Sequence, residues 1–80
     1  MSKNEIYGRV MSIPLKRSVV ISGHPTSVSL EKPFWEALNQ IATDRKLSIN
    51  RLISEIDHGR KSNLSSALRV YVLNTLKNKG

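Results

Sequence analysis

One short stretch constrains this chain more than any other. Thr26-Ser27-Val28-Ser29-Leu30 alternates polar and apolar residues, the period-two pattern of a strand with one face buried. Thr26, Val28 and Leu30 share one face, and Ser27 and Ser29 share the other. Everything downstream reads as helix. A lone strand of about five residues leaves its backbone N–H and C=O groups orphaned, so a second strand must lie beside it. Ser18-Val19-Val20-Ile21-Ser22 is short, apolar and β-branched, and Gly23-His24-Pro25 interrupts the run. Residues 18–30 therefore fit either one long strand kinked at 23–25 or an intramolecular hairpin through Gly-His-Pro. Pro25 donates no ladder hydrogen bond and belongs at the start of the second stretch. The simplest external partner is the same strand of a second copy, related by a two-fold axis. Antiparallel pairing of that kind sets Ser27 and Ser29 of both copies on one exposed face, with Val28 and Leu30 turned to the helices.

The pattern predicts three helices. Over residues 32–46, Pro33 suits the first turn, and Phe34, Leu38, Ile41 and Ala42 follow helical spacing with Trp35 beside them. Glu31 and Glu36 lie near the positive end of that helix, and Arg45 and Lys46 near its negative end. Ser48 is a good N-cap for a second helix, whose Ile49, Leu52, Ile53 and Ile56 form one stripe and which Gly59 ends. Residues 59–63 form a polar turn, and Ser62 or Asn63 caps a third helix over 64–77. Leu64, Ala67, Leu68, Tyr71, Val72 and Leu76 lie along one side of it. Val70 and Leu73 widen that face, so the helix calls for burial on two sides.

A domain of 80 residues buries a modest core and needs a supplement. Cysteine is absent, which removes disulfides and thiolate metal sites. His24 and His58 stand too far apart in sequence to suggest a structural zinc site. Oligomerisation remains. The formal net charge is +7, and it collects at the two ends. Lys3, Arg9, Lys16 and Arg17 face only Glu5, and Arg69, Lys77 and Lys79 are unopposed after residue 63. Such a balance favours a polyanionic partner, most often nucleic acid. No apolar run exceeds four residues, so no membrane span is expected, nor a secretory signal; the expected location is the cytoplasm, on the nucleoid. Residues 1–17, broken by Gly8 and Pro14, read as a flexible basic N-terminal arm, and 18–78 as the folded domain. There is no phosphate-binding glycine loop, no paired carboxylates and no base beside Ser65-Ser66. No enzyme, cofactor, metal or small-molecule substrate is expected.

A two-stranded ribbon fits the major groove of B-DNA, where Ser and Thr donate or accept. The resemblance then becomes specific. Thr26-Ser27-Val28-Ser29-Leu30-Glu31, Phe34-Trp35-Glu36-Ala37-Leu38 and Leu47-Ser48 opening a second helix resemble the ribbon-helix-helix superfamily, of Arc and methionine-repressor type. Lys16-Arg17-Ser18-Val19, Gly23-His24 and Asn63-Leu64-Ser65-Ser66-Ala67-Leu68-Arg69-Val70 are similar to segments of a bacterial branch with an added C-terminal helix. The resemblance covers residues 16–76. It implies an α+β fold: an intertwined homodimer with an intersubunit two-stranded antiparallel ribbon and a third helix. It implies that Ser27 and Ser29 contact bases, where many family ribbons carry Arg, Lys, Gln or Asn. Lys16, Arg17 and His24 flank the ribbon and supply reach. Ser48, Ile49 and Asn50 open the helix whose free N–H groups clamp a DNA phosphate, with Arg51 beside them; a helix N-terminus has the donors and partial charge for that. The function implied is a sequence-specific transcriptional regulator, usually a repressor, with two dimers side by side reading a longer site. Two rivals are an antitoxin, which would neutralise a toxin with a C-terminal segment, and a protein-interaction module that binds no DNA. Against the antitoxin, residues 64–77 read as a packed helix.

Overall fold

The computed structural model describes residues 13–79. Two strands precede three helices: β1 (Pro14–Ile21), β2 (His24–Glu31), α1 (Lys32–Asp44), α2 (Ile49–Gly59) and α3 (Leu64–Lys79). This is the expected α+β order. Of the two shapes that fit residues 18–30, the chain takes the hairpin. β1 and β2 pair antiparallel from Pro14↔Glu31 to Ile21↔His24. The ribbon is closed within one chain, so β2 has a partner strand without a second copy.

The turn is Ser22-Gly23 and not Gly-His-Pro as expected, because His24 and Pro25 already belong to β2. Ser22 has φ 51 and Gly23 φ 82. Two positive values make a turn of type I′, whose twist matches that of the flanking strands. β1 also begins earlier than expected. Pro14, Leu15, Lys16 and Arg17 lie in the strand and not in an arm; residues 1–12 of the expected arm lie outside the described residues.

The turn dictates the rest of the hairpin. In a two-residue hairpin the pair next to the turn is hydrogen-bonded, and pairs alternate from there. Val20↔Pro25, Ser18↔Ser27, Lys16↔Ser29 and Pro14↔Glu31 are therefore non-hydrogen-bonded pairs. Both prolines fall where the ladder needs no N–H.

The helices cover one face of the hairpin. Val19, Val28 and Leu30 meet Leu38, Ile41 and Ala42 of α1, Leu52 and Ile53 of α2, and Leu68 and Val72 of α3 in one core. α1 stops at Asp44, two residues before the expected end. Lys46 takes φ 60, and the N–H groups of Lys46 and Leu47 turn back to the carbonyls of Thr43 and Ala42 at 3.0 and 2.8 Å. This pair of bonds is a Schellman ending. Asn63 caps α3 as expected, its Oδ1 accepting from the Ser66 N–H at 2.9 Å. One expectation for α3 is not met within the chain. Leu76 is exposed, and so are Val70 and Leu73; the helix buries only the side that carries Leu68 and Val72.

Candidate nucleic-acid interface

Strand alternation decides which side chains reach solvent. Lys16, Ser18, Val20, Pro25, Ser27 and Ser29 are exposed on the face away from the helices. Ser18 lies directly across from Ser27, and Lys16 across from Ser29. In non-hydrogen-bonded pairs the side chains stand closest together. The four form a compact polar patch, and none of their side chains has a hydrogen-bond or ion-pair partner among the described residues.

Arg17 lies on the opposite side from Lys16. Neighbours in a strand point to opposite faces, and Arg17 has the parity of Val19. Its guanidinium lies over the Trp35 ring, 5.5 Å from the centroid. Its Nε and Nη2 are buried without a hydrogen-bond partner among the described residues. Of the three residues expected to flank the ribbon, the pleat thus sets Lys16 and Arg17 on opposite faces of β1. His24 is exposed at the turn end of the hairpin, on the parity of Thr26 and Val28, off the patch.

The start of α2 is fastened to the ribbon. The Ser48 hydroxyl accepts from the Arg51 N–H at 3.0 Å, and the Leu52 N–H bonds the Ser48 carbonyl at 3.0 Å. This leaves the Ile49 and Asn50 N–H groups as the open donors of the first turn. The Asn50 side chain is engaged elsewhere, its Oδ1 accepting from the Val20 N–H at 3.0 Å. That bond covers one point of the outer edge of β1 and sets the helix start beside the hairpin. Arg51 leans toward Glu55 at 3.7 Å while 70% exposed, a surface pair of small worth.

The outer edge of β2 is covered as well. The Ser65 hydroxyl of α3 donates to the Ser29 carbonyl at 2.8 Å. One turn later, Arg69 donates from Nε and Nη2 to the two carboxylate oxygens of Glu31, at 2.8 and 3.1 Å. The Arg69 hydrogen bond is the main cause that holds the Glu31 carboxyl below its ordinary value of 4.5. Glu31, expected near the positive end of the first helix, is fixed by a fork-to-fork pair with Arg69. Arg45 and Arg60 are likewise drawn to Glu55 and Asp57.

Sequence reasoning missed Ser18, because Val19-Val20-Ile21 hides the alternation of β1. The signal that finds it is the Ser22-Gly23 dipeptide. Read as a two-residue turn, it fixes Ser18 opposite Ser27. Among the described residues, no group of His, Cys, Asp or Glu is placed to hold a metal, and no helix is long and apolar enough to cross a membrane.

Compared with known protein families, residues 14–76 match the ribbon-helix-helix domain. No curated protein and no solved structure matches the chain at a significant level.

Proposed function

Since the chain belongs to the ribbon-helix-helix family, a family of DNA-binding regulators, we propose that it regulates transcription by binding double-stranded DNA through the outward face of its hairpin. The observation that carries this reading is the patch of Lys16, Ser18, Ser27 and Ser29, exposed and without partners among the described residues. Serines offer donors and acceptors to base edges, and Lys16 offers charge to phosphate. The open N–H groups of Ile49 and Asn50 at the start of α2 supply a phosphate clamp, with Arg51 free to swing from Glu55.

The finer assignment is a repressor that acts as a homodimer on the nucleoid, with neighbouring dimers reading a longer operator. Support for a second copy comes from α3. Val70, Leu73 and Leu76 recur every third residue and are exposed by more than half. A small domain does not commonly leave such a row in water. The antitoxin reading is weaker, because Leu68 and Val72 anchor α3 in the core.

The test is fluorescence anisotropy of a random duplex across a salt series, with the mass of the free protein measured by sedimentation. Affinity that falls linearly on a log–log plot against salt supports phosphate contact. No binding at low salt refutes the reading and turns the search to protein partners.

A further inference from the structure

We infer that the chain carries a separate small-molecule site, a cavity between the C-terminal ends of α1 and α2 and the middle of α3, and that it takes an aromatic carboxylate. The inference does not rest on the DNA-binding reading, and the cavity shares no residue with the hairpin patch or the start of α2.

Size and lining come first. The cavity has a volume of about 460 Å³, inside the range of small-molecule sites, roughly 300–1,000 Å³. Ile56 of α2 and Ala67, Val70 and Tyr71 of α3 give it an apolar wall. Arg45, Arg60 and Lys61 stand at the same cavity, with Glu55. An apolar wall with a few polar groups is the make-up that holds and orients a small ligand.

Charge sets the sign of that ligand. Arg45 donates to the Tyr71 hydroxyl at 3.1 Å and to Glu55 at 3.3 Å. Glu55 is shared with Arg51 at 3.7 Å. Arg60 pairs with Asp57 at 2.7 Å and donates to the Ser62 carbonyl at 2.8 Å. Both carboxylates are therefore engaged by guanidinium groups. Lys61 is exposed and has no hydrogen-bond or ion-pair partner among the described residues. A cation without a counter-charge beside an apolar wall suits an anion with an apolar body. Tyr71 makes that body aromatic. Its ring lines the cavity while Arg45 holds its hydroxyl, so the ring is fixed and offers an aromatic partner. Asn74, one turn after Val70, adds an amide donor that is free among the described residues.

The cavity also lies well away from the nucleic-acid face. α2 runs from Ile49 to Gly59, about 15 Å at the helical rise. The open N–H groups of Ile49 and Asn50 stand at one end of it, and Gly59 lines the cavity at the other. Ligand and DNA can therefore be held at once.

The test uses three probes of one ring system: a naphthoate, the matching neutral naphthalenemethanol and the matching naphthylmethylammonium. Each is titrated into the isotope-labelled full chain and followed by amide NMR. The naphthoate is expected to saturate with a Kd on the order of 1 mM, and to shift the amides of Gly59, Lys61, Ala67 and Tyr71. The alcohol is expected to bind about five-fold more weakly and the ammonium more weakly still. Lys61→Glu, an exposed change checked by circular dichroism, is expected to weaken the naphthoate about ten-fold and to leave the alcohol as it was. Leu73→Gln, on the exposed row outside the cavity, is expected to change nothing. Equal affinity for the three probes, or a naphthoate affinity indifferent to Lys61→Glu, would overturn the choice of an anion. Shifts centred on Leu73 and Leu76 and lost in Leu73→Gln would move binding to the exposed row and overturn the cavity. The absence of any saturable shift would overturn the site altogether, with the DNA-binding reading untouched.

Discussion

The two faces of the hairpin are built from the same sixteen residues, yet they obey opposite rules. The inward face carries Val19, Val28 and Leu30, each almost wholly buried against three helices. The outward face carries Lys16, Ser18, Ser27 and Ser29, all exposed. Nothing in composition separates Arg17 from Lys16; only the pleat does, and it turns one cation onto an indole and leaves the other in solvent. The lesson is that parity along a strand assigns roles more firmly than charge does. Glu31 qualifies it. At the end of β2 it shares the outward parity of Ser27 and Ser29, yet Arg69 holds it against α3.

The sharpest way to break the contrast is to put a charge on the wrong face. Val28→Asp places a carboxylate where Val28 is only 5% exposed. Burial of an unpaired charge costs several kcal/mol, comparable with the whole stability of a small domain. The variant is expected to lose cooperative thermal unfolding by circular dichroism, whereas the same change at Ser27 leaves the melt intact.

The next effect concerns the tether at the edge. Glu31→Gln removes a charge-assisted, two-pronged pair, and an effect of about 1–2 kcal/mol is expected. The pH dependence follows from the sign of the shift. The folded state holds the Glu31 carboxyl below its ordinary value of 4.5, so the unfolded chain binds the proton more readily. The pair therefore contributes its full stability above that value, and loses it as pH falls through the lower folded value. Wild type minus Glu31→Gln, in urea unfolding, is expected to shrink on going from neutral pH to below 4. A difference that is flat with pH would deny the pair its role.

A third comparison separates the adjacent cations. Arg17→Met keeps an unbranched chain over Trp35 and removes two nitrogens that lack partners. The lost cation–π contact is worth about 0.5–1 kcal/mol, and unsatisfied buried donors cost about 1–3. The net expectation is a gain of about 1 kcal/mol in urea unfolding with DNA affinity unchanged. Lys16→Ala is expected to do the reverse: stability stays, and the salt slope of DNA binding falls by about one. Equal effects of the two substitutions on DNA would overturn the assignment of faces.

Much of this architecture is legible in the sequence. The alternation of Thr26 to Leu30, the Ser48 and Asn63 caps and the apolar stripe of α2 each follow from a local rule. The pairing of the strand was not settled, because a β-branched run beside a Gly-His-Pro segment fits both an internal and an external partner. The end of α1 was misjudged since a positive φ at Lys46 has no side-chain signature. The edge contacts of Asn50 and Ser65 span 30 and 36 residues, beyond what any local pattern carries. Of the site, Ser27 and Ser29 were visible as the outward half of an alternating strand, and Ser18 was hidden until the register was known.

The smallest expected effect tests what sets that register. Both faces depend on a two-residue turn, since one extra residue in the loop would move every side chain of β2 to the other side. Ser22 adopts φ 51, a left-handed conformation that Asn tolerates better than Ser. Ser22→Asn creates the Asn-Gly pair most favoured in type I′ turns and touches neither face. The expected gain is about 0.5 kcal/mol, or roughly 2–4 °C in Tm for a domain of this size. DNA affinity and discrimination stay at the wild-type level. A loss of stability would mean that the inward packing of Val19 and Val28, and not the turn, holds the register. In that case the alignment of Ser18 with Ser27 would owe its place to the core beneath it.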